Sequence, residues 1–243
     1  VGRPGRWPGF ANGQTVAGHA SRCHISRHVP GHFFERAVMS AHNPFTQPLE
    51  LQGQHAKLVP LSTAHHDDLV DAVKDGELWR HWYTFIPTPE KMADEIARRL
   101  NLHKDGSLLP FTVMVDGKAV GMTTYMHIDA ANLRVEIGST WYRRSVQRSL
   151  VNTECKRLLL AHAFEQLHCN AVEFRTHFFN QQSRRAIERL GAKLDGVLRN
   201  HQINHHPDAA GALRDTCVYS ILNTEWPSVK AHLDYQLSRS REA

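Results

Sequence analysis

Apolar positions along the chain keep two rhythms, period two and period three-to-four, and their succession outlines a fold. His55–Leu61 reads as a strand that stops at Pro60. Ser62 or Thr63 then caps a helix through Val73, with Asp67 and Asp68 in its early turns, where the helix dipole favours acid. Pro87 and Pro89 punctuate, and Glu90 opens a second helix to about Leu102 with Met92, Ile96 and Leu100 on one face. Phe111–Val115 and Lys118–Met122 flank Asp116-Gly117, a pair suited to the positive φ angles of a tight hairpin. Leu133, Val135 and Ile137 alternate with Arg134, Glu136 and Gly138, predicting a strand to about Tyr142.

The rhythm then changes. Val151, Cys155, Leu158, Leu159 and Ala163 form one face of a buried helix over about 152–167. Val172, Phe174 and Thr176 alternate with Glu173, Arg175 and His177 in a further strand. Asn180 begins a helix with Ala186, Ile187 and Leu190 inward and Gly191 as its stop. Strands over about 196–203 and 214–222, joined by a polar loop around Pro207 and Gly211, precede a last helix starting at Glu225-Trp-Pro227. A meander followed by a βαβ crossover predicts an α+β domain.

Composition adds bounds. With 243 residues, 41% hydrophobic and 22% charged, the chain is globular in type. No apolar run approaches the ~18 residues of a membrane span, so no membrane partner is expected. Of the net charge of +5, five arginines against Glu35 place +4 in residues 1–38 and leave +1 for residues 39–243. The basic excess sits on a tail, so a nucleic-acid partner is not expected. Six glycines and three prolines in that tail erase any period, and residues 1–49 are read as a disordered or extended segment before a single domain at 50–238. An extended reading frame with Met39 as the natural start is the other reading of the tail. Cys23, Cys155, Cys169 and Cys217 are far apart and no signal-peptide pattern is seen, which reads as reduced thiols in a cytoplasmic protein.

Candidate chemistry gathers in the βαβ unit. A strand feeding a buried helix leaves free amides at the helix start, which attract phosphates. The linking loop carries Arg143, Arg144 and Arg148, with Ser149 or Asn152 as caps. The loop is either a pyrophosphate cradle or an ordinary basic surface loop. Asn180 and Ser183 sit at the cap and third position of the next helix, and capping alone explains both. Glu136 is a strand carboxylate beside the loop, either a general base or a charge that is solvated or paired with an arginine. The eighteen histidines include no H-E-x-x-H and no Cys/His set, so no metal is expected.

Taken together, the element order, the strand 133–142 feeding the loop and helix 143–167, and Asn180-x-x-Ser183 followed by Leu190-Gly191-Ala192 are recognisable. Over about residues 50–225 the chain resembles the GCN5-related N-acetyltransferase (GNAT) superfamily, in particular its RimJ/RimL-like branch. Arg199 and Arg214-Asp215 are similar to that branch too. The resemblance implies a GNAT-like mixed, mostly antiparallel sheet with a central βαβ crossover and helices on both faces. It implies acetyl-CoA as cosubstrate, held by backbone at Thr140, Trp141 and Tyr142, by the loop and helix start from Gln147 through Arg148, Ser149, Leu150, Val151 and Asn152 to Thr153, and by Asn180. Ser183 would lie near the sulfur. The family loop expects glycines where Leu150 and Asn152 stand, and side chains there restrict the approach of phosphate.

The expected reaction is attack of a primary amine, from a protein N-terminus or a small molecule, on the thioester, with Glu136 and Ser183 as the catalytic pair. Glu136 takes the proton, directly or through water, and Ser183 steadies the leaving thiolate. The alternative is a non-catalytic module of the same fold with weakened CoA binding. Asp75, Glu77, Trp79, Trp82 and Tyr83 are read as an acidic, aromatic rim for a cationic amine or as helix-end packing. A homodimer is left open.

Overall fold

A computed structural model describes residues 43–239, and the reading of residues 1–38 as a disordered tail lies outside them. Among the described residues the helices are His66–Lys74 (α1), Met92–Lys104 (α2), Val151–Ala161 (α3), Gln181–Arg189 (α4) and Trp226–Ser238 (α5). The strands are Leu51–Gln52 (β1), Lys57–Pro60 (β2), Leu109–Val115 (β3), Lys118–Asp129 (β4), Arg134–Tyr142 (β5), Ala171–His177 (β6), Lys193–Ile203 (β7) and Leu213–Leu222 (β8). They form one sheet in the order β1-β2-β3-β4-β5-β6-β8-β7, in which only β5 and β6 run parallel. The mixed, mostly antiparallel α+β architecture with its central crossover is therefore the one expected.

Apolar side chains cover both faces of the sheet. α3 and α5 bury Cys155, Leu159, Leu160 and Leu233 with Val135, Ile137, Val172 and Phe174 on one face. α1 and α2 bury Leu69, Val73, Met92 and Ile96 with Met122 and Trp141 on the other. Each fully buried leucine contributes about 1.5–3 kcal/mol, so the crossover helix is held mainly by that seam. Alternation then fixes the remaining directions: Glu136, Glu173 and Arg175 point away from α3 because their neighbours Val135, Phe174 and Val172 point toward it.

Some boundaries differ from the periodic reading. Ser62 Oγ accepts from the Ala64 amide and caps a 3₁₀ turn at Thr63–His65, and α1 follows it. Residues 43–47 make turns that seat Phe45 in the main core rather than an extended lead-in. β4 runs on to Asp129, past the expected end at Met122, because a bulge with His127 at φ 46° breaks the alternation there. Asp116 and Gly117 both take positive φ, as their hairpin requires.

The feature that positions the site is the short union of β5 and β6. They pair only through Arg134–Glu136 with Ala171–Glu173. Beyond that, β5 stays with β4 to Tyr142 opposite Gly121, and β6 stays with β8 to His177 opposite Thr216. The two strands part, and the end of β5 leads through a 3₁₀ turn at Arg144–Val146 into α3.

Candidate active site

Glu136 is the last β5 residue before the parting. It is buried, with 4% of its surface exposed, so of the two structural expectations it is the paired carboxylate and not the solvated one. Its Oε2 accepts from His127 Nδ1 at 2.7 Å and pairs with Arg175 Nε at 3.4 Å. Its Oε1 lies over Gly138, where a Cβ would come within 2.7 Å of it. Glycine at 138 is thus what lets the carboxylate lie along the opened strand. The hydrogen bond from Glu136 raises His127 above the ordinary imidazole value, outweighing partial burial.

Past Gly138 the strand bulges. Ser139 takes φ 47° and the register with β4 shifts between Met122 and Thr124. Arg99 of α2 braces the bulge, donating to Thr124 Oγ1 at 2.7 Å and to the Ser139 carbonyl at 3.4 Å. Arg99 is itself buried and paired with Glu95 at 2.7 Å. Burial works against the Glu95 charge, but the Arg98 and Arg99 partners hold its carboxyl below the usual range. On the opposite face Lys156 of α3 donates to Thr140 Oγ1 at 2.7 Å and to Thr123 Oγ1 at 3.3 Å. Burial with no carboxylate partner brings its ammonium down to about 7. Trp141 packs in the α1/α2 cluster and Tyr142 in the α3 cluster, so both serve the core through their rings.

The loop into α3 has the makings of an anion site. The Gln147 side chain donates to the Tyr142 carbonyl at 2.8 Å. Ser149 Oγ donates to the Val146 carbonyl and accepts from the Val151 amide. Among the described residues, no acceptor meets the amides of Arg148, Ser149 and Leu150. The amides of Asn152 and Thr153 belong to the first turn of α3, where no intrahelical partner exists. Leu150 has φ −75° and ψ −15°, and Asn152 lies inside α3, so neither position uses the freedom of glycine. The conformational cost falls instead on Arg148, at φ 62°. Glu154, one residue beyond, accepts the amides of Gln54, His55 and Ala56 at 2.7–2.8 Å and ties the lead-in to the helix.

Across the parting, Asn180 Oδ1 accepts the Ser183 amide at 3.0 Å, which caps α4 and leaves its side-chain NH₂ and the Ser183 hydroxyl without an acceptor or donor among the described residues. Gln182 Nε2 reaches Gln147 Oε1 at 3.3 Å, so side chains from both sides meet. The expected residues are thus assembled from β5, the α3 loop and the start of α4.

His127, Arg175 and His177 were not singled out by sequence reasoning. Arg175 and His177 share the polar parity of Glu173, and that parity was the available signal. His177 ends β6, and its Nδ1 accepts the Phe179 amide at 3.1 Å. Burial, with Arg214 adding to it, lowers its value below the ordinary imidazole range. Trp82 crosses it edge-on at 5.1 Å, with Phe179 at 5.9 Å from Trp82. Asn204 and His206 hold this loop, donating to the Trp82 carbonyl at 3.1 Å and the Trp79 carbonyl at 3.2 Å. The rim is aromatic, but its acids are taken: Asp75 by Arg143 at 2.8 Å, Glu77 by Arg80 at 2.9 Å. Hollows of about 600 Å³ beside β2 and about 490 Å³ beside α1 are lined by no residue of the parting.

Cys155 is pushed up to about 12 and Cys169 to about 11 by burial, which leaves them as inert thiols.

The Acetyltransferase (GNAT) domain model matches residues 56–193. The chain belongs to the GNAT acetyltransferase family. It is 30% identical over 118 residues, 49% of its length, to "Putative ribosomal N-acetyltransferase YdaF" of Bacillus subtilis (strain 168), and spans 61% of that relative. A GCN5-related N-acetyltransferase from Brucella melitensis superposes with a TM-score of 0.70 at 31% identity, over 80% of this chain and 88% of that one. Mycobacterium smegmatis RimJ in complex with CoA-disulfide superposes with a TM-score of 0.67 at 18% identity, over 80% and 97%. That last likeness is one of fold. The family domain spans the bulged strand, the α3 loop and α4.

Proposed function

We propose that the chain is an acetyl-CoA-dependent N-acetyltransferase acting on a primary amine, with a protein or peptide N-terminus as the acceptor class. The observation that carries this is the parting of β5 and β6 beside a helix start whose amides lack acceptors. A diphosphate is a natural ligand for such amides, and the loop arginines add charge. Support also comes from a RimJ of the same fold, solved with CoA-disulfide, and from the ribosomal N-acetyltransferase name of the YdaF relative.

In this reading the stretch from Gln147 to Thr153 holds the diphosphate through the amides of Arg148, Ser149, Leu150, Asn152 and Thr153, those of Gln147 and Val151 being already bonded to the Arg144 carbonyl and Ser149 Oγ, and Arg148 and Arg144 add charge. The Asn180 NH₂ and the exposed edge of Gly138–Tyr142 hold the pantetheine arm. Acetyl-CoA supplies an activated acyl carbonyl. Glu136 takes the amine's proton at Oε1, directly or through water, while His127 and Arg175 hold Oε2. The Ser183 hydroxyl donates to the leaving sulfur. The aromatic wall of Trp82, Tyr83 and Phe179 orders the acceptor and excludes water.

The test is transfer of labelled acetyl to a panel of peptides and small amines, with calorimetry of acetyl-CoA in parallel. Transfer to peptide N-termini supports the reading. Binding without transfer to any amine sinks the catalytic part. No binding at high micromolar acetyl-CoA favours the second reading, a non-catalytic module, for which the left-handed Arg148 is the motivating feature.

A further inference from the structure

The sheet face away from α3 carries a line of charges across β4, β5, β6 and β8. Glu173 accepts Arg134 at 2.6 Å and Arg175 at 3.0 Å. Glu136 is taken by His127 and Arg175. Asp215, on the other face of β8 with Cys217 and Tyr219, is taken by Arg199 at 2.8 Å and by the Asn200 amide at 2.7 Å. Every carboxylate of this line therefore has partners. One guanidinium does not. Among the described residues Arg214 makes no side-chain hydrogen bond and no ion pair, and its Nε is buried without an acceptor. It lies on β8 two residues before Thr216, which is opposite His177, and so beyond the point where β5 and β6 part. By alternation along β8 it shares the sheet face of Thr216, and so of His177 and Glu136, and its charge is felt by both.

A half-buried guanidinium with no anion in direct contact is costly, because the more distant Glu136 charge does not offset its desolvation. Such a group persists where a ligand completes it. Arginine is also the side chain that best matches a carboxylate, through two parallel N–H donors. We propose that Arg214 binds a carboxylate carried close behind the acceptor amine, so that the preferred acceptor is an acidic peptide N-terminus rather than a polycation. This rests on the acetyltransferase reading and deepens it. It reverses the expectation of an acidic rim for a cationic amine, since Asp75 and Glu77 are both spent on arginines.

The experiment compares peptides with amidated C-termini that differ only at the second residue, Glu, Gln or Lys, together with a dipeptide whose free C-terminal carboxylate stands in for the side chain. Acetylation and, separately, calorimetric binding in the presence of CoA are measured for the natural chain, R214Q and R214K. The expected result is a preference of about tenfold or more for either carboxylate-bearing acceptor over its amide. That ratio falls towards one in R214Q and is partly restored in R214K. R214Q also melts no lower than the natural chain, because it removes an unpaired charge; a clear drop in melting temperature would assign Arg214 a structural role instead and overturn the proposal. Equal handling of Glu and Gln peptides, a preference that survives R214Q, or failure of all of them to bind also overturns it. Carboxylate-dependent binding without any acetyl transfer would keep this inference and remove the catalytic reading.

Discussion

Glu136 shows how one residue's environment defines its use. The carboxylate is held on one oxygen by His127 and Arg175, and Gly138 clears space at the other. E136Q keeps the shape and removes the proton acceptor, so kcat should fall by about 10²-fold or more, with acetyl-CoA affinity little changed by calorimetry. S183A should lower kcat less, because a hydroxyl donor only steadies the sulfur; if both variants turn over normally on a true acceptor, the roles are misassigned. His127 gives a pH signature. Its folded-state value is raised above 6.5, so the ion pair with Glu136 is fully present below pH 6.5 and is lost as pH rises through the raised value. The melting temperature of H127Q should therefore fall short of the natural chain at acid pH and converge with it at alkaline pH. A constant gap across the titration would contradict the pairing. Glu136 was legible as a polar strand residue that an arginine could pair, but which partners it takes was not, because they come from a bulge and from Arg175, thirty-nine residues on.

At the scale of elements, the crossover helix does two jobs. Its first turn offers amides, and its body buries a lysine against the bulged strand. Lys156 in the folded state titrates at about 7, against 10.5 for a free lysine. Between those values the unfolded chain binds the extra proton, so stability rises with pH across that window. K156M should accordingly raise the melting temperature most below pH 7, with the gain shrinking toward pH 10, as thermal scans would read. An unchanged gain would mean that the ammonium is solvated. Glu154 anchors this same end to residues 54–56: hydrogen bonds to a charged acceptor are each worth about 1.5–3 kcal/mol net, and E154A should cost at least about 2 kcal/mol in denaturant unfolding. The elements themselves were readable from period and punctuation, as with Asp116-Gly117 and Asn180. The extension of β4 was not, since a residue at positive φ throws the following side chains out of phase.

For the molecule as a whole, topology was readable and charge pairing was not. A meander followed by a crossover admits few sheets, and that constraint is enough to bring residues 136–142, 147–153 and 180–183 to one place. Which carboxylates stay free depends on contacts between elements distant in sequence, such as Asp75 with Arg143 and Arg199 with Asp215. Asp75 and Glu77, readable as an acidic rim or as helix-end packing, are found paired with Arg143 and Arg80, which the sequence did not decide. In the glycine-poor loop the family resemblance marks where glycine is customary, whereas the backbone angles put Arg148, not Leu150, in the left-handed region.

The contact between Gln182 and Gln147 gives the fold a fastening across its own opening. Gln147 simultaneously holds the end of the parted strand. A long, thin guest laid between these arms must undo one clasp and can use the freed amides itself. Occupancy by the guest would then be felt at the start of α4, so hydrogen exchange at Gln181–Arg184 becomes a direct report of whether the opening is filled.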